Sequence, residues 1–321
     1  SRLTSHQPAS IAMNNQPRRV VLITRRTRLA ELITRHNTYA QAQFYLEHLG
    51  ADFADYLRED RAYTTALHSV TATLQQWGRY QHIDRSLLPN YAFAADDIVI
   101  ALGQDGLVAN TLKYLSGQPL IGINPEPARY DGILLPFEAA ALPDVLAQTA
   151  ADKRPHKTIT LAEARLSDGQ SLRAVNDLYI GVRSHTSARY EISYGGQREQ
   201  QSSSGLIIST GLGSTAWLKS IITGAQAIAA ANGGKSSSPY QPLPWDSKKL
   251  RFAVREPFPS RHSSASIVYG HIQRDRPLRL RSLMAEDGVI FSDGIERDYL
   301  RFEAGIEASI ILAETHGMLV Q

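Results

Sequence analysis

The chain has 321 residues, 43% hydrophobic and 20% charged, a globular composition with material for a large buried core. A formal net charge of +3 gives no support to a broad nucleic-acid-binding surface, and the absence of cysteine excludes disulfides, thiolate catalysis and cysteine-ligated zinc. No apolar run approaches the roughly 20 residues of a membrane-spanning helix, so the reading is a soluble, cytoplasmic protein that does not engage membranes.

The polar start, with Pro8 and Pro17, lacks the apolar core of a secretory signal, and residues 1–17 are expected to form a disordered tail. Residues 19–24 (RVVLIT) form a short apolar run rich in β-branched side chains, which predicts a buried strand. Residues 31–49 follow with helical spacing and end at Gly50, and residues 62–77 predict a second helix stopped by Gly78. A second buried strand is expected over 96–102, a helix from the Gly103 turn to Leu115, and a third strand over 119–123. Strands separated by helices indicate parallel crossovers.

Beyond about residue 150 the pattern changes to short, alternating, turn-bounded runs: 158–166, 171–180, 188–194, 205–209, 250–255, 265–271, 278–282 and 306–313. One helix is expected around 215–231 and an exposed Gly/Ser/Pro loop over 232–249. The expected organisation is an α/β nucleotide-binding domain over 18–148, a β-rich domain over 149–298, and a C-terminal segment over 299–321 that can pack back on the first domain. A ligand cleft belongs between the two domains.

Gly103-Gln104-Asp105-Gly106-Leu107 sits where a strand hands over to a helix, the edge of an α/β sheet where ligands bind. Glycines there let backbone amides approach phosphate oxygens, the helix N-terminus favours anions, and a carboxylate can accept a proton from an attacking hydroxyl. Taken alone, such a turn is more often a mere turn. Arg25, Arg26 and Arg28 follow the first strand and could face phosphates at the same edge or form a solvated basic turn. His36, His185 and His271 are isolated, and no His or carboxylate spacing suggests a protein-built metal site.

The turn resembles the Gly-Gly-Asp-Gly-Thr loop of NAD kinases and their lipid-kinase relatives. Residues 121–135 (IGINPEPARYDGILL), with Gly132-Ile133-Leu134, resemble the strand and loop that follow in that family. Residues 174–180 (AVNDLYI) resemble its Asn-acidic motif, and 205–217 (GLIISTGLGSTAW) its Ser-Thr-rich signature. Ser203-Ser204-Gly205, residues 184–191, Arg255-Glu256-Pro257 and Phe291-Ser292-Asp293-Gly294 look closest to the mitochondrial-type branch. The resemblance implies a Rossmann-like α/β domain of the NAD-kinase and diacylglycerol-kinase type, followed by a β-rich, β-sandwich domain.

By the same resemblance, the activity is transfer of the terminal phosphate of ATP to the 2′-hydroxyl of the NAD adenosine ribose. Asp105 is then the base or orienting group, and Gly103, Gln104 and Gly106 form the ATP phosphate loop, with Arg25 beside it. Asn176, Asp177, Thr215, Ala216, Trp217, Ser220 and Gly132 bind NAD. Mg²⁺ arrives with ATP, held mainly by the phosphates, and the chain assembles as a homodimer or higher homo-oligomer. Gln104 and Leu107 depart from the family loop. A Cβ at Gln104 costs about 1 kcal/mol or more if the position has a positive φ, and Leu107 cannot supply a hydroxyl. Two alternatives stay open: a weak or inactive relative that binds NAD or NADP, and a kinase of another hydroxyl acceptor such as a lipid or sugar.

Overall fold

The computed structural model describes residues 16–235 and 238–321, so nearly all of the expected N-terminal tail lies outside the described residues. β1 (Val20–Thr24) leads to α1 (Arg28–His36), α2 (Tyr39–His48) and α3 (Phe53–Trp77), then β2 (Tyr80–Asp84) and β3 (Ile98–Leu102). Helix α4 (Asp105–Leu112), β4 (Pro119–Ile123) and α5 (Leu142–Ala150) complete the α/β half. The four strands run parallel in the order β2-β1-β3-β4. β1 and β3 are buried along their whole length because both sheet faces are covered. Val20, Leu22, Ile98 and Ile100 meet α3 and α5 on one face. Val21, Ile23, Val99 and Ala101 meet α4 on the other.

The single helix expected over 31–49 is two helices. Asn37 takes the left-handed conformation (φ 64°), and Thr38 starts α2 by accepting a hydrogen bond from the Gln41 amide at 3.2 Å. The next helix begins at Phe53, nine residues ahead of the expected 62, because Asp52 caps it through the Ala54 amide at 3.0 Å. β2 (YQHID) escaped the sequence reading because a polar strand at a sheet edge carries no apolar run.

The second half comprises β5 (His156–Leu166), β6 (Ser171–Ala174), β7 (Asp177–Val182), β8 (Ala188–Tyr194), β9 (Gln197–Ser203) and β10 (Leu206–Ser209). Helix α6 (Trp217–Ala231) precedes β11 (Leu250–Val254), β12 (Tyr269–Ile272), β13 (Leu278–Ser282), β14 (Gly288–Ser292), β15 (Ile295–Arg301) and β16 (Glu307–Val320). β16, β13, β8 and β9, with β5 and β6, extend the parallel sheet to 10 strands. A second, antiparallel sheet of six strands runs β12-β11-β10-β7-β14-β15. Leu178, Ile180, Phe252 and Ile290 of this sheet share one core with Tyr190, Leu280 and Ile310 of the first, which makes a β-sandwich. The architecture is thus an α/β half with a parallel sheet, followed by an antiparallel β-rich half.

Two departures bear on the site. The strand expected over 171–180 breaks at Val175-Asn176, so β6 pairs with β5 in one sheet and β7 with β10 and β14 in the other. The last strand spans both halves: β16 pairs with β13 and β5, and its end lies parallel to β4, with Met318 opposite Pro119.

Candidate active site

The parallel sheet delivers the first part of the site. Leu102 ends β3, Gly103 turns the chain, and Gln104 precedes α4, whose first residue is Asp105. Gly103 has little room for a side chain, since a Cβ there would lie 2.8 Å from Leu107 Cδ2. Gln104 has φ −126° and ψ 168°, ordinary extended backbone, so its Cβ brings no strain to the loop. Leu107 is 1% exposed and faces the core, so this position stabilises α4 by burial and offers nothing polar to a ligand. Asp105 stays partly exposed, and its Oδ1 accepts the Leu134 amide at 2.7 Å.

Arg25 lies against this turn and is largely buried. It is 8% exposed, donates to Glu59 and to the Tyr130 hydroxyl at 3.0 Å each, and its guanidinium passes 3.5 Å from where a Gly103 Cβ would sit. Its Nε is buried with no hydrogen-bond partner among the described residues. Gly132 has φ +63° and packs on the Asn124 side chain, 2.6 Å from the position of a Cβ, so glycine is required there. Gly106 is exposed, with open space beside it.

The sheet switch builds the second part. Asn176-Asp177 forms the corner between β6 and β7, and the Asp293 carboxylate holds that corner. It accepts the amides of Asn176 at 2.6 Å, Val175 at 3.0 Å and Asp177 at 3.2 Å. Asp293 itself is in the left-handed conformation (φ 56°) and returns its own amide to Asp177 O at 3.0 Å. Thr210 binds the carbonyls of Val175 and Asn176, and Gly213 lies so close that a Cβ would be 2.0 Å from Asn176 O. Burial, reinforced by the negative charge of Asp293, pushes the Asp177 carboxyl up to about 7. Burial also pushes Asp293 up, although three amides and Lys113 oppose it.

The two parts meet. Leu107, Val108, Leu134 and Leu135 around Asp105 share one hydrophobic cluster with Val175 and Leu212 beside the Asn176-Asp177 corner. At the other end of α4, Lys113 Nζ reaches Ser292 Oγ and Asp298 Oδ2, both at 3.1 Å, with its side chain 1% exposed. One helix therefore carries Asp105 at its start and is pinned to the β14–β15 hairpin at its end.

Ser214 does not cap α6. Its Oγ donates to Gly211 O at 2.6 Å and accepts the Leu243 amide at 3.0 Å inside a short 3₁₀ turn, Leu212–Thr215. Thr215, Ala216 and Ser220 are exposed, and Ser220 Oγ bonds back to Ala216 O at 3.4 Å. Trp217 stacks parallel to Tyr179, with ring centroids 6.0 Å apart, and Tyr179 stacks on Phe291 at 4.7 Å. These rings, with Tyr299, Arg183 and Arg255, line a cavity of about 210 Å³, large enough for one heteroaromatic ring. Arg255 lies over the Trp217 ring and Arg183 over Tyr299. Asp177 and Tyr179, two apart on β7, point to the same face, so the cavity adjoins the Asn176-Asp177 corner. That spacing of two was available in the sequence and would have identified Tyr179. Lys113 gave no such signal, and the Phe291–Gly294 likeness did not give Asp293 its anchoring role, because the partners of both lie more than 100 residues away.

Among the described residues, no group of three or more His, Cys, Asp or Glu could hold a metal ion, and no helix is long and apolar enough to cross a membrane.

No protein-family model matches the sequence, and no curated protein matches it either. Solved structures do. Yeast NADH kinase complexed with NADH superposes with a TM-score of 0.56 and 14% identity, covering 95% of this chain and 84% of that one. An NAD kinase from Archaeoglobus fulgidus in complex with ATP gives 0.52 and 14%, covering 94% and 93%. The chain has the NAD-kinase fold.

Proposed function

We propose that this protein is an NAD kinase of the mitochondrial-type branch, transferring the terminal phosphate of ATP to the 2′-hydroxyl of the NAD adenosine ribose to give NADP. The observation that carries this reading is the placement of Asp105. Its carboxylate stands on the first residue of a helix, beside a glycine turn at the ligand-binding edge of the sheet. One oxygen is held by the Leu134 amide, which leaves the other to accept the proton of an attacking hydroxyl. The helix N-terminus and the amides around Gly103 and Gly106 favour phosphate oxygens. Asn176, Asp177 and the Thr215–Trp217 segment supply the polar corner and aromatic wall that a dinucleotide needs. Mg²⁺ enters with ATP and supplies charge neutralisation on the phosphates, and the working form is a homodimer or higher homo-oligomer.

The test is NADP formation from ATP, Mg²⁺ and NAD in a coupled dehydrogenase assay. Asp105→Asn should lower turnover by at least about a hundredfold, while NAD still raises the melting temperature. Unchanged turnover would sink this assignment. The buried, hydroxyl-free Leu107 favours a second reading, a dinucleotide binder with very slow transfer. Under that reading the wild type makes no NADP although NAD raises its melting temperature.

A further inference from the structure

Residues 124–135, between β4 and α5, have no helix or strand, yet they are fastened at both ends. At one end Arg129 donates two hydrogen bonds to Asp55 in the first turn of α3, at 3.0 and 2.7 Å, and one to Glu126 at 2.6 Å. Next to it the Tyr130 hydroxyl receives Arg25. At the other end Leu134 donates its amide to Asp105. In between, Asn124 braces the loop from inside, accepting the Glu126 amide at 3.0 Å and donating to Tyr130 O at 3.1 Å. Pro125 and Pro127 restrict its backbone further. Gly122 on β4 makes the fit possible: a Cβ there would stand 2.2 Å from Leu134 O, so only a bare backbone lets the strap lie on the strand.

The clamp is a charge network that reaches the Gly103 turn through Arg25. Hydrogen bonds from Arg129, and next from Arg28, hold the Asp55 carboxyl well below the usual carboxylate range. Arg28 also binds Glu59 at 2.7 Å, and Glu59 holds Arg25 against the Gly103 turn.

We propose that Arg129 and Asp55 are positioning residues for Asp105: their bidentate pair holds the strap on α3, and the strap's Leu134 amide fixes the orientation of the Asp105 carboxylate. A carboxylate tethered by one N–H is oriented only as well as that N–H is held. Asn124, Gly122 and the buried Leu134 and Leu135 hold the strap near its Asp105 end, and the Arg129–Asp55 pair adds the anchor at the other end. This inference rests on the kinase reading for its consequence in turnover, but the mechanical link from Asp55 to the Leu134 amide stands or falls by itself.

The experiment uses the full-length protein and two readouts, amide hydrogen exchange at Leu134 and NADP formation. Asp55→Asn and Arg129→Gln should each speed exchange at Leu134 by about tenfold or more. They should also lower kcat by about 10- to 100-fold with KM for NAD little changed, the pattern expected for a misplaced reacting group. Arg129→Lys, which keeps the charge but not the bidentate geometry, should fall between these and the wild type. Arg58→Gln removes an exposed partner of Asp55 that does not touch the strap, and should change neither readout. Because Asp55 also serves α3, Arg129→Gln decides the matter if Asp55→Asn fails to fold. Leu134 exchange unchanged in a folded Arg129→Gln variant overturns the proposal, as does loosened exchange with unchanged kcat. If the wild type makes no NADP, the kinase reading falls, and the exchange readout alone upholds or overturns the clamp.

Discussion

The Asp177 carboxyl is expected to cost the protein stability at neutral and alkaline pH. Burial and the neighbouring Asp293 charge place it at about 7, against an ordinary value of 3.8. The folded protein therefore keeps a proton that the unfolded chain releases. This contribution is fully present below about pH 4 and lost as pH rises through about 7. At about 1.4 kcal/mol per pH unit, the gap between the two values sets a ceiling of about 4 kcal/mol. Asp177 is 7% exposed, so solvent screening reduces this little. Asp177→Asn replaces the carboxyl with a neutral group of the same shape. Urea unfolding across pH should show the variant matching the wild type near about pH 4 and more stable by a few kcal/mol at about pH 8. On the NAD kinase reading proposed above, the rise in melting temperature produced by NAD should shrink at the same time, because Asp177 then stands at the dinucleotide corner. A stability difference that does not change with pH, or a variant weaker than the wild type at alkaline pH, would refute the reasoning.

Gly213→Ala should destabilise the protein by more than about 2 kcal/mol, because its Cβ would stand 2.0 Å from Asn176 O and displace the corner backbone. The check is a denaturant melt together with NAD titration, both of which should suffer. Gln104→Gly should change stability by less than about 1 kcal/mol, since φ −126° stores no strain for glycine to release. A gain of several kcal/mol in the same melt would show strain that this conformation does not contain.

Much of the architecture was written into local patterns. The continuous apolar runs of β1, β3 and β4 mark strands buried on both faces, and the short turn-bounded runs after residue 150 mark an antiparallel structure, within which β7 and β10 are also buried along their whole length. The position of the Gly103–Gly106 turn between β3 and α4 was likewise legible. Several elements went unread: β2, β9 and β15 are polar strands at sheet edges, where only one neighbour enforces pairing and no apolar pattern is needed, and β14 and α5, of five and nine residues, are too short for periodicity to mark them. The break at Asn37 needed the left-handed conformation itself to reveal it.

What the tertiary structure alone decided is how the site residues are held. Arg25 reads in sequence as a cation that faces phosphates or solvent, but Glu59, thirty-four residues on, draws it into a buried pair. Gln104 reads as a strained replacement for glycine, but the way β3 enters α4 gives it ordinary extended backbone. Asp293 stands in sequence only as part of the Phe291-Ser292-Asp293-Gly294 likeness, and it becomes the anchor of the Asn176-Asp177 corner because β14 pairs with β7. The sequence by itself determined which segments become strands and helices, because burial periodicity is local. The neighbours of the buried charges were decided by how helices and sheets pack: α3 brings Glu59 to Arg25, and the pairing of β14 with β7 sets Asp293 beside Asp177.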